Sequence, residues 1–307
     1  LGADMAEAFR IGRYKVHRIE EWQGGFSPPE ALFAEFEAQA FAQVADAFEP
    51  DCLREGMIYG YLQSWLIDTG DMRVLVDTGA GNGKQRPGIP IFGDLDTSFL
   101  SRLADAGYSP EDIDTVFCTH LHIDHVGWNT HLQDGEWVPT FPNATYCLPA
   151  VDDSAWNPDG DQYRTMSGAH VNANVYEDSV VPVLARGRCR LVNDGEAIGA
   201  GMTAVHAPGH TPGHMVLEVC DDGDMALFTG DILHHPMQVY RPDWNSVYCE
   251  DRNQAAETRL KVLNRAANND ARIVPAHFGA PHSIFVERLP DGRFRPQNAI
   301  RIRGGCP

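Results

Sequence analysis

The feature that most constrains this chain is the stretch Thr119-His120-Leu121-His122-Ile123-Asp124-His125, which sets three imidazoles and a carboxylate directly after the apolar run Thr115 to Cys118. Neutral imidazole and carboxylate are the groups that hold borderline divalent cations such as zinc. In an extended segment, alternation points His120 and His122 the same way. The turn that follows carries Asp124 and His125 toward a second ion, about 3.5–4 Å from the first. Three more ligand-type residues follow strand-like runs far downstream: His210 in Pro208-Gly209-His210, Asp231 in Thr229-Gly230-Asp231 and His277 in Pro275-Ala276-His277. Each alone is ordinary; with the 119–125 cluster they predict a site assembled from distant segments.

The surrounding pattern supplies elements to carry such a site. Tyr14 to Glu20 alternates as a strand does. Pro29 to Phe48 is rich in Ala and Glu, with apolar residues at helical spacing, and predicts an early helical arm. Met57 to Ile67 and Arg73 to Val76 flank the turn cluster Asp68-Thr69-Gly70-Asp71 and read as a hairpin ending at Asp77-Thr78-Gly79-Ala80-Gly81. Asp96 to Ala106 is helical in spacing, and Ser109-Pro110-Glu111-Asp112 reads as a short capped turn into the strand Thr115 to Cys118. The polar and aromatic insertion His131 to Pro142, a strand near Ala144 to Leu148 and an irregular, partly helical stretch to Ala185 are expected over the site. Strands at Cys189 to Val192, Met202 to His206, His214 to Cys220 and Met225 to Phe228 predict a meander. A helix from Gln254 to Ala267, a strand Arg272 to Val274 and a hairpin about Asp291-Gly292 follow. No repeat, low-complexity run or linker divides the 307 residues. A single domain over 1–307 is therefore expected, with a helical extension at about 29–48 and an insertion at about 131–185.

Composition narrows the partners. The formal charge of −19, from 43 acidic against 24 basic residues, repels a phosphate backbone and offers an anionic membrane no polybasic patch. Neither nucleic acid nor a membrane is expected; a small-molecule substrate is. No apolar run approaches the ~20 residues that span a bilayer. The start, Leu1 to Arg10, lacks a basic region followed by an apolar stretch, so a cytoplasmic setting is expected, with a removed export signal left open because the first residue is Leu. Seven cysteines (Cys52, Cys118, Cys147, Cys189, Cys220, Cys249, Cys306) are scattered without a C-x-x-C pair, and reduced core thiols are expected.

The order H-x-H-x-D-H, His, Asp, His, preceded by the Asp77-Thr78-Gly79 strand end, resembles the metallo-β-lactamase-fold hydrolase superfamily over about Met57 to His277. The resemblance implies an α+β fold: a four-layer αββα sandwich, two mixed β-sheets face to face, helices outside and metals at one edge. It also implies roles. His120, His122 and His210 would hold one ion, Asp124, His125 and His277 a second, and Asp231 would bridge both. The cofactor is then two divalent ions, zinc first, with manganese, cobalt or iron as the other candidates. A shared water acidified between them would attack as bridging hydroxide, with Asp124 passing a proton to the leaving group. Asp77 is expected to orient the ligand loop, beside the plainer reading of Asp-Thr-Gly as turn chemistry. His214 reads as a supporting neighbour rather than a ligand, and His234 and His235 as pocket-mouth or solvent-facing residues. Trp128, Trp137 and Trp244 are candidates for pocket walls or for core.

Within that superfamily, Asp231 stands where the zinc β-lactamases of pathogens most often supply a cysteine. The acidic charge disfavours the nuclease branch, and Asp124-His125 with Asp231 suits two metals better than a single-iron dioxygenase. The long separation of His122 and His210 is similar to the larger lactonase, methyl parathion hydrolase and chlorothalonil dehalogenase-like members. Hydrolysis of a lactone or ester, of the acyl-homoserine-lactone type, is the expected function. Phosphotriester hydrolysis and hydrolytic dehalogenation of an activated aryl chloride are the alternatives, and a non-enzymatic metal-containing binder is the remote one. Against the binder, structural zinc closes its coordination with four protein ligands, whereas seven ligands over two ions leave room for water. Pro29 to Phe48, outside the metal pattern, is a candidate homodimer contact.

Overall fold

Strand alternation sorts the apolar residues into layers. In the computed structural model of the chain, which describes residues 8–298, Trp65 and Ile67 of the long strand Met57–Asp68 face one way and Leu62 and Leu66 the other. Val74 and Val76 likewise oppose Leu75 on the next strand, Arg73–Val76. A sheet with two apolar faces needs cover on both, and it has it.

The first sheet runs, in spatial order, Phe9–Ile11, Tyr14–Ser27, Met57–Asp68, Arg73–Val76, Thr115–Phe117, Thr145–Pro149 and Cys189–Val192, with Leu53–Arg54 paired beside Met57–Asp68. Its early pairs are antiparallel and the last three parallel. The second runs Ala197–Gly199, Met202–His206, Met215–Asp221, Asp224–Gly230, Arg272–Pro275, Ile284–Arg288 and Phe294–Asn298. Asp224–Gly230 and Arg272–Pro275 are its parallel pair, joined through the helix Arg252–Asn269. Between the sheets, Val16, Trp65, Val76 and Phe117 meet Met202, Leu217, Phe228 and Val274. Outside the first sheet, Phe99, Leu103, Trp156 and Val183 cover Leu66, Leu75 and Val116. Outside the second, Val262, Leu263 and Ala266 of the long helix cover Val216, Leu227 and Ile273. This is the four-layer α+β sandwich expected.

Three expectations change. Pro29 to Phe48 is not one helix: it forms Pro29–Leu32, Ala38–Ala42 and a 3-10 turn Ala45–Ala47. Neither α-helix has a side-chain cap, and Leu32, Phe33, Phe41 and Phe48 bend inward onto Met237 and Trp244. Burial outweighs helical propensity in pieces too short to nucleate well. Of the large apolar side chains in this candidate dimer segment, Leu32, Phe33, Phe41 and Phe48 are covered by the chain itself. Cys189–Val192, expected to open the meander, instead pairs in parallel with Thr145–Pro149 in the other sheet. The stretch 131–185 is also not wholly an insertion, since Thr145–Pro149 lies inside the first sheet.

Other expected elements stand near their predicted places, including the 57–76 hairpin, the capping box at Ser109 and Asp112, and the hairpin about Asp291-Gly292. Cys52, Cys118, Cys147, Cys189, Cys220 and Cys249 are free thiols, Cys220 exposed rather than buried. Cys306 and the stretch Leu1 to Glu7 lie outside the described residues. Among the described residues, no helix is long and apolar enough to cross a membrane.

Candidate metal centre

Strands of both sheets deliver their following loops to one edge. Arg73–Val76 ends at Asp77 and Thr115–Phe117 at the 119–125 loop, while Asp224–Gly230 ends just before Asp231 and Arg272–Pro275 just before His277. Asp77 sits at φ +57, a left-handed conformation that Asp tolerates better than most residues. Its carboxylate accepts from Thr119 N at 2.7 Å and lies 2.9 Å from His125 Nδ1. It therefore fixes both ends of the histidine loop, which a mere turn residue would not do. Gly230, at φ +46, admits Thr119 and His214 so closely that a Cβ there would lie 2.6 Å from Thr119 Oγ1.

The seven candidate ligands converge. His210 Nε2 is 3.2 Å from His120 Nε2 and 2.9 Å from His122 Nδ1. Asp231 Oδ2 faces this group, 3.4 Å from His210 Nε2 and 3.9 Å from His120 Nε2. Asp231 Oδ1 faces the other way, 2.9 Å from His277 Nε2 and 3.1 Å from His125 Nε2. Asp124 closes that second group, its oxygens 3.6 Å from His277 Nε2 and 3.7 Å from His125 Nε2. Donor atoms of His120, His122 and His210, and those of Asp124, His125 and His277, lie close enough to share one ion each.

The hydrogen-bond pattern around these residues fits cations. Thr119 Oγ1 gives its hydrogen to Asp77 Oδ2 at 2.9 Å and so accepts from His120 Nδ1 at 3.0 Å. His120 Nε2 is then a lone pair aimed at other imidazole nitrogens, an arrangement that repels unless a cation sits between them. His125 Nε2 and Asp231 Oδ1 are buried and 3.1 Å apart but not aligned for a hydrogen bond. Burial, then neighbouring imidazoles, hold His120 well below its ordinary pKa, and burial takes His122 to about 3, so both are neutral and able to ligate. Burial opposes charge on His277 too, yet Asp231 and Asp124 outweigh it and raise that ring to about 9. Bound cations would supply the same positive charge to the carboxylates and displace that proton.

The remaining predicted residues fall in different places. His214 Nε2 accepts from Asp231 N at 3.1 Å and so secures the backbone of Asp231. His234 is buried, with Nε2 3.2 Å from Asp231 Oδ2, and lines the cavity. His235 turns away into Phe33 and Phe48, with Nε2 3.2 Å from Cys52 O; neither histidine faces solvent. Of the tryptophans that were candidates for walls or core, Trp128 and Trp244 are core, and none of the three lines the cavity. Trp128 stacks on Phe99, Trp244 packs on Phe33 and Phe36, and Trp137 lies under Lys84 Nζ.

The cavity beside the centre has a volume of about 840 Å³. His122, Asp124, His210, Asp231 and His277 form its floor. Trp22, Phe92, Phe26 and Tyr248 form a continuous aromatic wall, with successive ring centroids 5.7, 6.0 and 6.1 Å apart. Opposite, Ser167 and Gly168 are held by Glu250, which accepts from Ser167 N at 2.8 Å and Gly168 N at 2.6 Å. Asn172 Nδ2 pins the same segment to Leu121 O at 2.8 Å.

Two buried carboxylates escaped the sequence reading. Glu21 accepts from Ala80 N, Gly81 N and Trp128 Nε1 at 2.6, 2.9 and 2.7 Å, supporting the Asp77 turn. Asp152 accepts from Leu121 N, Gly213 N and Thr211 Oγ1 at 3.1, 2.6 and 2.8 Å, tying the two histidine loops together. Burial raises Glu21 to about 7 and Asp152 to about 6.

Comparison with known proteins agrees with this fold. The solved hydrolase AbOPH, of the beta lactamase superfamily, matches with a TM-score of 0.81 at 27% identity, over 95% of this chain and 97% of that one. AidC, a dizinc quorum-quenching lactonase solved with a homoserine product, matches with a TM-score of 0.78 at 20% identity, over 96% and 97%. The lactamase-like protein ptaB of Pestalotiopsis fici is 28% identical over 176 residues, 56% of this chain; the match spans only 40% of that relative's length. The family-wide profile of the metallo-beta-lactamase superfamily matches residues 60–277, from the strand before Asp77 through the last candidate ligand. The chain belongs to the metallo-beta-lactamase superfamily.

Proposed function

We propose that the protein is a dinuclear metal-dependent hydrolase of an uncharged small molecule, first a lactone or ester with an apolar arm. The observation that carries this reading is Asp231, whose two oxygens face two separate ligand groups on the floor of one cavity. His120, His122 and His210 would hold one ion, Asp124, His125 and His277 the other, and Asp231 would bridge. Two divalent ions held there, zinc first, would supply an acidified water and would polarise the oxygen that gathers charge.

The chain's own residues do the rest. Asp77 orients His125 and, through Thr119, His120. The aromatic wall takes up an acyl or aryl arm and excludes water from it. Asp124, which lines the cavity, would take the proton that the attacking water gives up and pass it to the leaving oxygen. Among the lining residues, the acidic Glu35, Glu250 and Asp251 outnumber the one cation Arg252, which disfavours an anionic substrate and leaves neutral carbonyl compounds preferred.

The solved lactonase with its homoserine product supports the lactone reading. The aromatic wall also suits the aryl group of a phosphotriester or an aryl chloride. A panel of homoserine lactones assayed beside paraoxon and chlorothalonil separates these. Lactone turnover that disappears on chelation and returns with zinc is expected; silence on every lactone overturns the first choice.

A further inference from the structure

We propose that the two halves of the centre hold their ions with unequal strength, the Asp124, His125 and His277 half more tightly than the His120, His122 and His210 half. The inference rests on the two-ion reading above. Asp231 gives one oxygen to each side, so the difference lies in the other ligands and in what stands behind them.

Charge differs first. One half includes the carboxylate of Asp124, where the other is made of three imidazoles. The partners behind the rings differ in the same direction. His125 Nδ1 is backed by the Asp77 carboxylate at 2.9 Å and His277 Nδ1 by the Tyr61 carbonyl at 2.8 Å, both strong acceptors. A strong acceptor makes the ligating nitrogen more basic and locks the ring in its binding orientation. On the other side, His120 Nδ1 rests on the Thr119 hydroxyl at 3.0 Å, and His210 Nδ1 on the Cys249 sulfur at 3.7 Å. A thiol sulfur is a weak acceptor, so His210 is the least supported of these rings.

Loss of an outer partner of this kind typically lowers metal affinity about 10–100-fold. The two halves are therefore expected to differ by at least about tenfold. A protein short of metal would carry one ion in a defined place rather than a mixture.

The test uses holoenzyme loaded with two equivalents of zinc and equilibrated against graded free zinc set by a chelating buffer. Bound zinc is counted per chain, and anomalous diffraction from crystals held at the half-loaded point locates the ion that stays. Two steps separated by at least about tenfold in free zinc are expected, with the retained ion between Asp124, His125 and His277. Asp77→Asn should narrow the gap, since Asp77 backs His125 directly but His120 only through Thr119. A single step, a retained ion among His120, His122 and His210, or a gap that Asp77→Asn leaves as wide overturns the inference. A chain that never takes up two equivalents overturns the two-ion reading with it, whereas two equal steps overturn this inference alone.

Discussion

Glu21 and Asp152 bear no metal in this account, yet each holds ligand-bearing loops by backbone N–H groups, and each makes a prediction. Glu21 rises from 4.5 to about 7 because burial penalises its charge. A group with a raised folded pKa contributes stability below its unfolded pKa and loses it as pH climbs through the folded value. The stability of wild type relative to Glu21→Gln should therefore fall as pH rises from about 5 to 8, by about 3 kcal/mol in all. Parallel unfolding curves for the two proteins across that range would contradict this. Asp152→Ala strands donors at Leu121, Gly213 and Thr211, and should cost on the order of 3 kcal/mol and weaken zinc retention at least about tenfold. Denaturant unfolding with zinc counted per chain checks both effects. The candidate ligands were legible because four of them crowd into six residues and the others follow strand ends. Glu21 and Asp152 were not, because their partners, mostly backbone groups, are remote in sequence and no local pattern marks them.

At the scale of elements, the strands were read well wherever alternation was long, as in Met57–Asp68 and Met215–Asp221. Their partners were less legible. Cys189–Val192 reads as a strand by itself, but its parallel pairing to Thr145–Pro149 depends on a long connection whose course no periodicity encodes. The segment 29–48 misled for the opposite reason: helical spacing was present, but the core around Met237 and Trp244 drew its aromatic side chains to one side and broke the helix. The pocket wall was missed because tryptophan was weighed above position. Trp22, Phe26 and Phe92 come from a strand edge and a loop that sequence places far from the ligands. Phe26→Ala should raise KM for a decanoyl lactone by roughly tenfold, the worth of one buried phenyl ring, while leaving a butanoyl lactone nearly unchanged. Steady-state kinetics on the two substrates decides it, and an equal change in both would remove the wall from substrate recognition.

For the molecule as a whole, the sandwich matters because neither sheet holds a complete set of ligands. The first sheet leads to Asp77 and the 119–125 loop, the second to His210, Asp231 and His277, so the centre exists only when the two layers pack on each other. Metal binding at this centre would therefore be linked to folding, the ions cross-linking the two layers. The central claim is that Asp231 stands between two ions, and anomalous diffraction at the zinc edge tests it most directly. Crystals of zinc-loaded protein should show two peaks about 3.5–4 Å apart, one on each side of the Asp231 carboxylate. A lone peak at full loading, or zinc bound away from Asp231, would contradict the account.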